Sequence, residues 1–95
     1  MLLHIDIPSN MVYINGDFTK LTKNEYKLLV YMAKKNSKIA SRGELLENVW
    51  GATSDMNTRT VDMHISRLKR KLGPAGKLIE TIHGFGYRIR PNKTK

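Results

Sequence analysis

One stretch of the sequence decides the fold: Arg59-Thr60-Val61-Asp62-Met63-His64-Ile65-Ser66-Arg67-Leu68-Lys69-Arg70-Lys71-Leu72. In a helix that turns about 100° per residue, its apolar side chains form a stripe about 60° wide, made of Val61, Ile65, Leu68 and Leu72. The other side carries cations, short polar groups and a methionine, namely Arg59, Thr60, Met63, Ser66, Arg67, Arg70 and Lys71. One face can pack on a core while the other offers hydrogen-bond donors, as a helix in a DNA major groove requires.

The charge of the chain is concentrated on this helix and on the residues after it. The 95 residues contain 17 basic and 8 acidic side chains, for a net charge of +9. Residues 1–56 hold seven Lys or Arg and six Asp or Glu, whereas residues 57–95 hold ten and two. This asymmetry indicates a polyanionic partner, because a surface that is only solvated usually mixes both signs.

Length and composition limit the class of protein. Ninety-five residues, 40% of them hydrophobic, predict a single domain (1–95) with a modest core. The sequence has no cysteine, no apolar run of membrane-spanning length and no signal-peptide pattern, so we expect a soluble, cytoplasmic domain. The three histidines lack the spacing of metal ligands and no catalytic motif is present, so we predict no metal, no cofactor and no enzyme.

The first 21 residues are expected to form an antiparallel meander of three strands. Leu3, Ile5 and Ile7 alternate with polar side chains, and a second strand-like run covers residues 11–14. Asn15-Gly16 is a strong hairpin signal, since both residues tolerate positive φ, and it leads to a third strand over residues 17–21.

Three helices are predicted within residues 22–73. Two capping boxes, 22–25 and 41–44, open the first two helices. The first is expected to run to about Asn36 and to bury Tyr26, Leu29, Val30 and Ala33. The second is expected to bury Leu45, Leu46, Val49 and Trp50.

The predicted ends of the second and third helices depend on glycines. Gly51 ends the second helix, and a polar loop over residues 52–56 comes after it. Asn57 is the predicted N-cap of the recognition helix, residues 57–72, which stops at Gly73-Pro74-Ala75-Gly76.

The C-terminal part is expected to form a hairpin over residues 78–90. Two strand-like runs flank the loop His83-Gly84-Phe85-Gly86, and residues 91–95 are expected to fray. Two short helices, a long basic helix and a hairpin predict an α+β fold: a winged helix-turn-helix with an N-terminal antiparallel sheet, a three-helix core and a C-terminal β-hairpin wing.

Four groups of residues in this chain occur in a familiar order: Leu21-Thr22 with Glu25 and Leu28-Leu29; Ser41-Arg42 with Leu45 and Val49-Trp50; Arg59-Thr60-Val61-Asp62 with His64-Ile65 and Arg67-Leu68; and Thr81-Ile82-His83-Gly84-Phe85-Gly86-Tyr87-Arg88. With them the chain resembles the DNA-binding effector domain of OmpR/PhoB-type response regulators. The resemblance implies a four-stranded N-terminal sheet, a three-helix core and a wing. It also implies sequence-specific binding of double-stranded DNA and transcription regulation in a two-component system.

The resemblance implies partners as well. Two copies would bind tandem direct-repeat half-sites, residues 52–56 would contact RNA polymerase, and a phospho-accepting receiver domain would precede this one. We interpret the chain as an excised effector domain that is monomeric alone and dimeric on DNA or through the receiver. A naturally free-standing domain is the alternative.

Base reading is predicted for Arg67, Met63 and His83. The Arg67 guanidinium can donate two parallel hydrogen bonds to guanine O6 and N7, with phosphate contact as the alternative. Met63 can meet a thymine methyl group, with a solvent-exposed methionine of no consequence as the alternative. Asp62 is expected to pair with Ser66, Lys69 or a basic neighbour.

A second set of side chains is predicted to contact phosphates. Its members are Trp50, Arg59, Thr60, His64, Ser66, Lys69, Arg70, Lys71, Thr81 and Tyr87. Core packing is the alternative for Trp50, His64 and Tyr87, and local capping is the alternative for Thr60. The resemblance implies that the wing, residues 81–88, lies at the minor groove.

His83 departs from the resembled family, which usually has arginine or lysine there. A histidine is shorter and largely neutral at pH 7, but the negative potential of a narrow A·T-rich groove favours its protonation. We therefore predict that DNA affinity rises between about pH 7.5 and 6 and that His83→Ala removes the rise. Titrations at both pH values check this, and a flat profile contradicts it.

Other functions for the basic face stay open on the sequence alone. A non-specific nucleic-acid or acidic-partner binding module would need charge only, so that Arg67→Ala and Arg70→Ala would be equivalent. An RNA-binding winged helix would prefer structured RNA and would not discriminate between duplex DNA sequences.

Overall fold

A computed structural model describes residues 2–51 and 57–90. The N-terminal strands are β1 (Leu3–Asp6), β2 (Met11–Ile14) and β3 (Asp17–Thr19), paired antiparallel in the order β1-β2-β3. The predicted meander and its hairpin are confirmed, with positive φ at Asn15 and Gly16. This sheet has three strands in the described part of the chain, where the resemblance implied four.

Two details of the sheet differ from the prediction. Ile7 is 49% exposed, because β1 ends at Asp6 and the chain turns away before β2. The third strand ends at Thr19, and Leu21 packs against the core instead of extending the sheet.

Helix α1 (Lys23–Lys34) begins at the predicted capping box. Thr22 Oγ1 accepts from the Glu25 amide, and Glu25 Oε1 accepts from the Thr22 amide. The helix ends at Lys34, two residues before Asn36, where positive φ at Asn36 and Ser37 turns the chain.

Of the predicted buried face of α1, only Leu29 is confirmed as buried. The structure buries Glu25, Leu28, Leu29 and Met32, leaves Ala33 exposed, and leaves Tyr26 and Val30 half-buried. The true face is rotated by one residue, because Glu25 can enter the core when its carboxylate accepts hydrogen bonds from the Thr22 amide and from Lys71. A sequence pattern places a glutamate outside by default.

Helix α2 (Arg42–Leu45) begins at the second capping box and continues into a π-helical turn, Leu46–Trp50. Gly51 comes next with φ 64°, as predicted for a helix end. The polar loop predicted at residues 52–56 and the frayed tail predicted at 91–95 lie outside the described residues.

Helix α3 (Arg59–Leu72) begins two residues after the predicted cap. Thr58 is the residue before its first turn and makes no side-chain cap. Asn57 still accepts a hydrogen bond from the Arg59 amide through Oδ1 at 2.9 Å. The start is tightened by i→i+3 bonds from Thr60 to Asn57 and from Val61 to Thr58, which shortens the regular helix.

The end of α3 and the hairpin agree closely with the prediction. Gly73 leaves the helix with φ 55°, and a 3₁₀ turn, Gly73–Leu78, leads into β4 (Ile79–Ile82) and β5 (Gly86–Ile89). A single bridge pairs Ala40, just before α2, with Tyr87. One hydrophobic core joins the sheet, the helices and the hairpin.

Candidate nucleic-acid interface

The outward face of α3 is confirmed as the polar one. The four residues of the apolar stripe are buried, whereas Arg59, Met63, Ser66, Arg67 and Arg70 are exposed, with Met63 at 49%. Thr60, His64 and Lys69 are half-buried at the edges of this face. The helix therefore presents guanidinium groups, a hydroxyl and a thioether on one continuous surface, which we call the α3 face.

His64 and Trp50 form one contact beside the α3 face. His64 Nδ1 lies 2.8 Å from the Thr60 carbonyl oxygen, which can only accept, so Nδ1 carries the proton. The two rings meet edge to face with centroids 4.9 Å apart. The half-buried indole is thus held against α3, and Nε2 is the imidazole nitrogen left for an outside partner.

Asp62 connects three elements of the fold. Tyr87 on β5 donates its hydroxyl to Asp62 Oδ1 at 2.5 Å, and Arg42 Nη1 lies 3.5 Å from Asp62 Oδ2. Burial, and after it the bond to Asp62, raises the pKa of Tyr87 to about 12, so the hydroxyl stays a donor. Of the predicted partners of Asp62, a basic neighbour is found, but it is Arg42 of α2.

The Lys71 ammonium contacts a buried carboxylate, although the Lys71 side chain is 40% exposed. Its Nζ lies 2.8 Å from Oε1 of Glu25, whose side chain is 2% exposed. Burial alone would raise the pKa of Glu25, but hydrogen bonds from Lys71 and Thr22 outweigh it and hold the pKa below its usual value. Among the predicted phosphate contacts, the Lys71 ammonium and the Tyr87 hydroxyl therefore already have internal partners, as does Nδ1 of His64.

Glu25→Gln is expected to lower the free energy of unfolding at pH 7 by about 1–2 kcal/mol, since it removes the charge from the pair but keeps a capping oxygen. The pKa of Glu25 is depressed in the folded state, so its contribution is present above the unfolded pKa and is lost as pH falls through the folded value. When the pH is lowered from 7 to 3, the free energy of unfolding should therefore fall less for the variant than for the wild type.

Urea unfolding at pH 7 and at pH 3 measures both effects. Glu47→Gln is the matched control. Glu47 is exposed, so this substitution should leave the free energy of unfolding unchanged at pH 7 and at pH 3. Equal stability of the Glu25 and Glu47 variants at pH 7 would show that the buried pair contributes nothing.

The charged side chains on and beside the two strands of the wing form ion pairs with each other. Arg88 Nε lies 2.8 Å from Glu80 Oε1, and Arg90 Nε lies 3.1 Å from Glu80 Oε2. At the tip, the Phe85 amide donates to the Ile82 carbonyl at 2.9 Å, which closes a β-turn with φ 83° at Gly84. Thr81, His83 and Phe85 are exposed around this turn.

A cleft of about 500 Å³ separates the wing from the start of α3. It is lined by Arg42, Thr58, Asp62, Thr81, Ile82, His83, Gly84, Phe85, Gly86 and Tyr87. The predicted wing residues Thr81 and His83 thus share this cleft with Thr58 and Asp62 at the start of α3. Sequence reasoning selected neither Arg42 nor Phe85 as a functional residue, although the position of Phe85 between two turn glycines was a usable signal.

Two negative findings concern the described ranges 2–51 and 57–90. No three His, Asp or Glu side chains there are grouped as they would be around a metal ion. No helix in those ranges is long and apolar enough to cross a membrane.

Comparison with known families supports a role on DNA. Residues 16–89 match the family described as "Transcriptional regulatory protein, C terminal". The response regulator ArlR of Staphylococcus haemolyticus is 41% identical over 90 residues, which cover 93% of this chain and 41% of that protein. The transcriptional regulatory protein VxrB of Vibrio cholerae is 40% identical over 88 residues, which cover 93% of this chain and 35% of that protein.

Comparison with solved structures agrees with these sequence matches. The DNA-binding domain of AdeR, crystallised with an intercistronic region, is 34% identical with a TM-score of 0.82, and the match covers 97% of each chain. The RstA DNA-binding domain of Klebsiella pneumoniae, crystallised with the RstA box, is 32% identical with a TM-score of 0.85, and the match covers 97% of this chain and 94% of that one. This chain spans about two fifths of the length of the curated relatives.

Proposed function

Because the chain belongs to the family of C-terminal domains of transcriptional regulatory proteins, of OmpR/PhoB type, we propose that it recognises double-stranded DNA by sequence and thereby regulates transcription. The observation that carries the proposal is the α3 face: a helix whose apolar stripe is fully buried leaves its guanidinium groups directed outward. The family is a DNA-binding regulator family and not an enzyme family, and we propose the same for this chain.

The α3 face is assigned to the major groove. Arg67 and Met63 are proposed to read base edges there, through paired hydrogen bonds to guanine and contact with a thymine methyl. Around them, exposed or half-buried groups are proposed to bind phosphates: Trp50, Arg59, Thr60, His64, Ser66, Lys69, Arg70 and Thr81. His83 is proposed to read the minor groove from the wing.

The roles that we assign to three residues differ from the sequence prediction. We assign Lys71 and Tyr87 to positioning, because Lys71 binds buried Glu25 and Tyr87 binds Asp62. Arg42 joins the phosphate contacts, because its side chain is 50% exposed in the cleft and its ion pair with Asp62 is long at 3.5 Å.

The assembly on DNA is also a proposal. Two copies would occupy direct-repeat half-sites about one helical turn apart, aided by a receiver domain that raises their local concentration in the cytoplasm. Contact with RNA polymerase is assigned to residues 52–56, which lie outside the described range.

Selection from a random duplex library at physiological salt, with sequencing of the bound pool, tests the function. A short enriched motif, repeated at a spacing of about 10 base pairs, is the expected result. Binding without enrichment would leave charge as the only determinant and overturn the proposal. Preferential binding of structured RNA added as competitor would favour the RNA-binding alternative.

A further inference from the structure

The wing has no unpaired guanidinium in its described residues. Its two arginines, Arg88 and Arg90, share the Glu80 carboxylate at 2.8 and 3.1 Å. The groups left for a partner are the Thr81 hydroxyl, the His83 imidazole and the Phe85 ring. Glu80, Arg88 and Arg90 together carry a net charge of only +1, so the electrostatic part of a contact made by this wing is limited.

Phe85 is the most exposed large apolar side chain among the described residues, at 70%. The turn that carries it is fixed at its base, because the Tyr87 amide and carbonyl both bond to Ala40, at 2.9 and 2.8 Å. The ring is thus presented by a braced hairpin and not by a loose loop.

The residues around Phe85 indicate which part of a DNA strand its ring contacts. The ring lines the same cleft as Arg42, Thr58 and Thr81, whose donors suit phosphate oxygens. A nucleotide strand presents the apolar C–H face of a sugar between its phosphates. The cleft has the Arg42 cation, paired with Asp62, and the Thr58 hydroxyl on one side and the aromatic ring on the wing side, which fits that alternation. Apolar side chains are known to enter the minor groove of DNA.

We propose that Phe85 packs in the minor groove against deoxyribose, so that the wing binds DNA mainly through apolar contact. This inference rests on the proposed function. Guanine places its N2 amino group in the minor groove and adenine does not, so the ring should enter deepest beside A·T pairs. Phe85 then sets a preference for groove shape next to the bases read by the α3 face.

Phe85→Ala tests the contact, with Phe18→Ala as the matched control. Phe18 is also an exposed phenylalanine, at 58%, but it lies on β3, whose residues do not line the cleft. We expect Phe85→Ala to weaken binding to the selected duplex about 5- to 30-fold without changing the salt dependence, because no charge is lost. Phe18→Ala should bind like the wild type, and both variants should stay folded at the temperature of the binding assay.

A second measurement locates the contact in the groove. Replacing guanine by inosine in the base pairs beside the selected motif removes only the minor-groove amino group. The wild type should bind the inosine duplex several-fold more tightly than the guanine duplex, and Phe85→Ala should lose that preference.

The outcomes separate the two proposals. If the wild type prefers the selected duplex and Phe85→Ala binds it equally well, the wing contact is overturned and the function stands. A salt dependence that changes in Phe85→Ala, or an inosine preference that survives in it, also overturns the wing contact. A wild type without any preference among duplexes overturns the proposed function and the wing contact together.

Discussion

Gly86→Ala is expected to reduce the free energy of unfolding by about 3–5 kcal/mol, which is a large part of the stability of a domain this small. Gly86 has φ 146°, a conformation that side-chain-bearing residues rarely adopt. A Cβ built there would lie 2.1 Å from the Ala40 carbonyl oxygen and 2.8 Å from Ser41 Cα. Both neighbours are backbone atoms, so the wing would have to move away from α2.

Denaturant unfolding of the two alanine variants at Gly86 and Gly43 measures this effect against a control. Gly43 lies in α2 with no atom within 4 Å of the position that a Cβ would take, so its alanine variant should be neutral or up to about 1 kcal/mol more stable. If both variants unfold at the same denaturant concentration, the close approach of wing and α2 does not support the fold.

Arg67→Ala is expected to weaken binding to the selected duplex by roughly 1–3 kcal/mol and to relax the preference at one base pair. In the described residues the Arg67 guanidinium has neither an ion pair nor a hydrogen bond, and its side chain lies on the exposed α3 face. Its donors are therefore free to pair with guanine. Titration against duplexes that differ at single positions measures both effects.

Arg70→Ala is the matched control for Arg67. It removes the same charge from the same face, one turn later in α3. We expect it to weaken all duplexes alike and to lower the slope of affinity against salt by about 1. If the two variants have the same effect on every duplex, neither arginine reads a base.

Local patterns predicted the fold where the signal is strong within a few residues. The α3 stripe, both capping boxes, the Asn15-Gly16 turn and the glycine that ends α3 are all confirmed. The face of α1 was missed because burial of Glu25 depends on Lys71, which lies 46 residues away. A periodicity in one helix contains no information about a charge partner on another.

The same limit applies to the site. The outward direction of Arg67, Met63 and Arg70 is set by their angles on one helix, and the structure confirms it. The internal partners of Lys71 and Tyr87 depend on how α1 and β5 dock onto α3, which the sequence did not specify. Arg42 and Phe85 come to line one cleft only when the wing pairs, at the Ala40–Tyr87 bridge, with the segment before α2.

The most direct test of base reading by the α3 face is the ratio of two DNA affinities, measured for the wild-type domain at physiological salt. One duplex carries the selected motif and the other has the same bases in scrambled order. We expect a ratio of about 10³ or more, the lower end for specific DNA-binding proteins. Equal affinities would contradict base reading, because the α3 face would then bind phosphates alone.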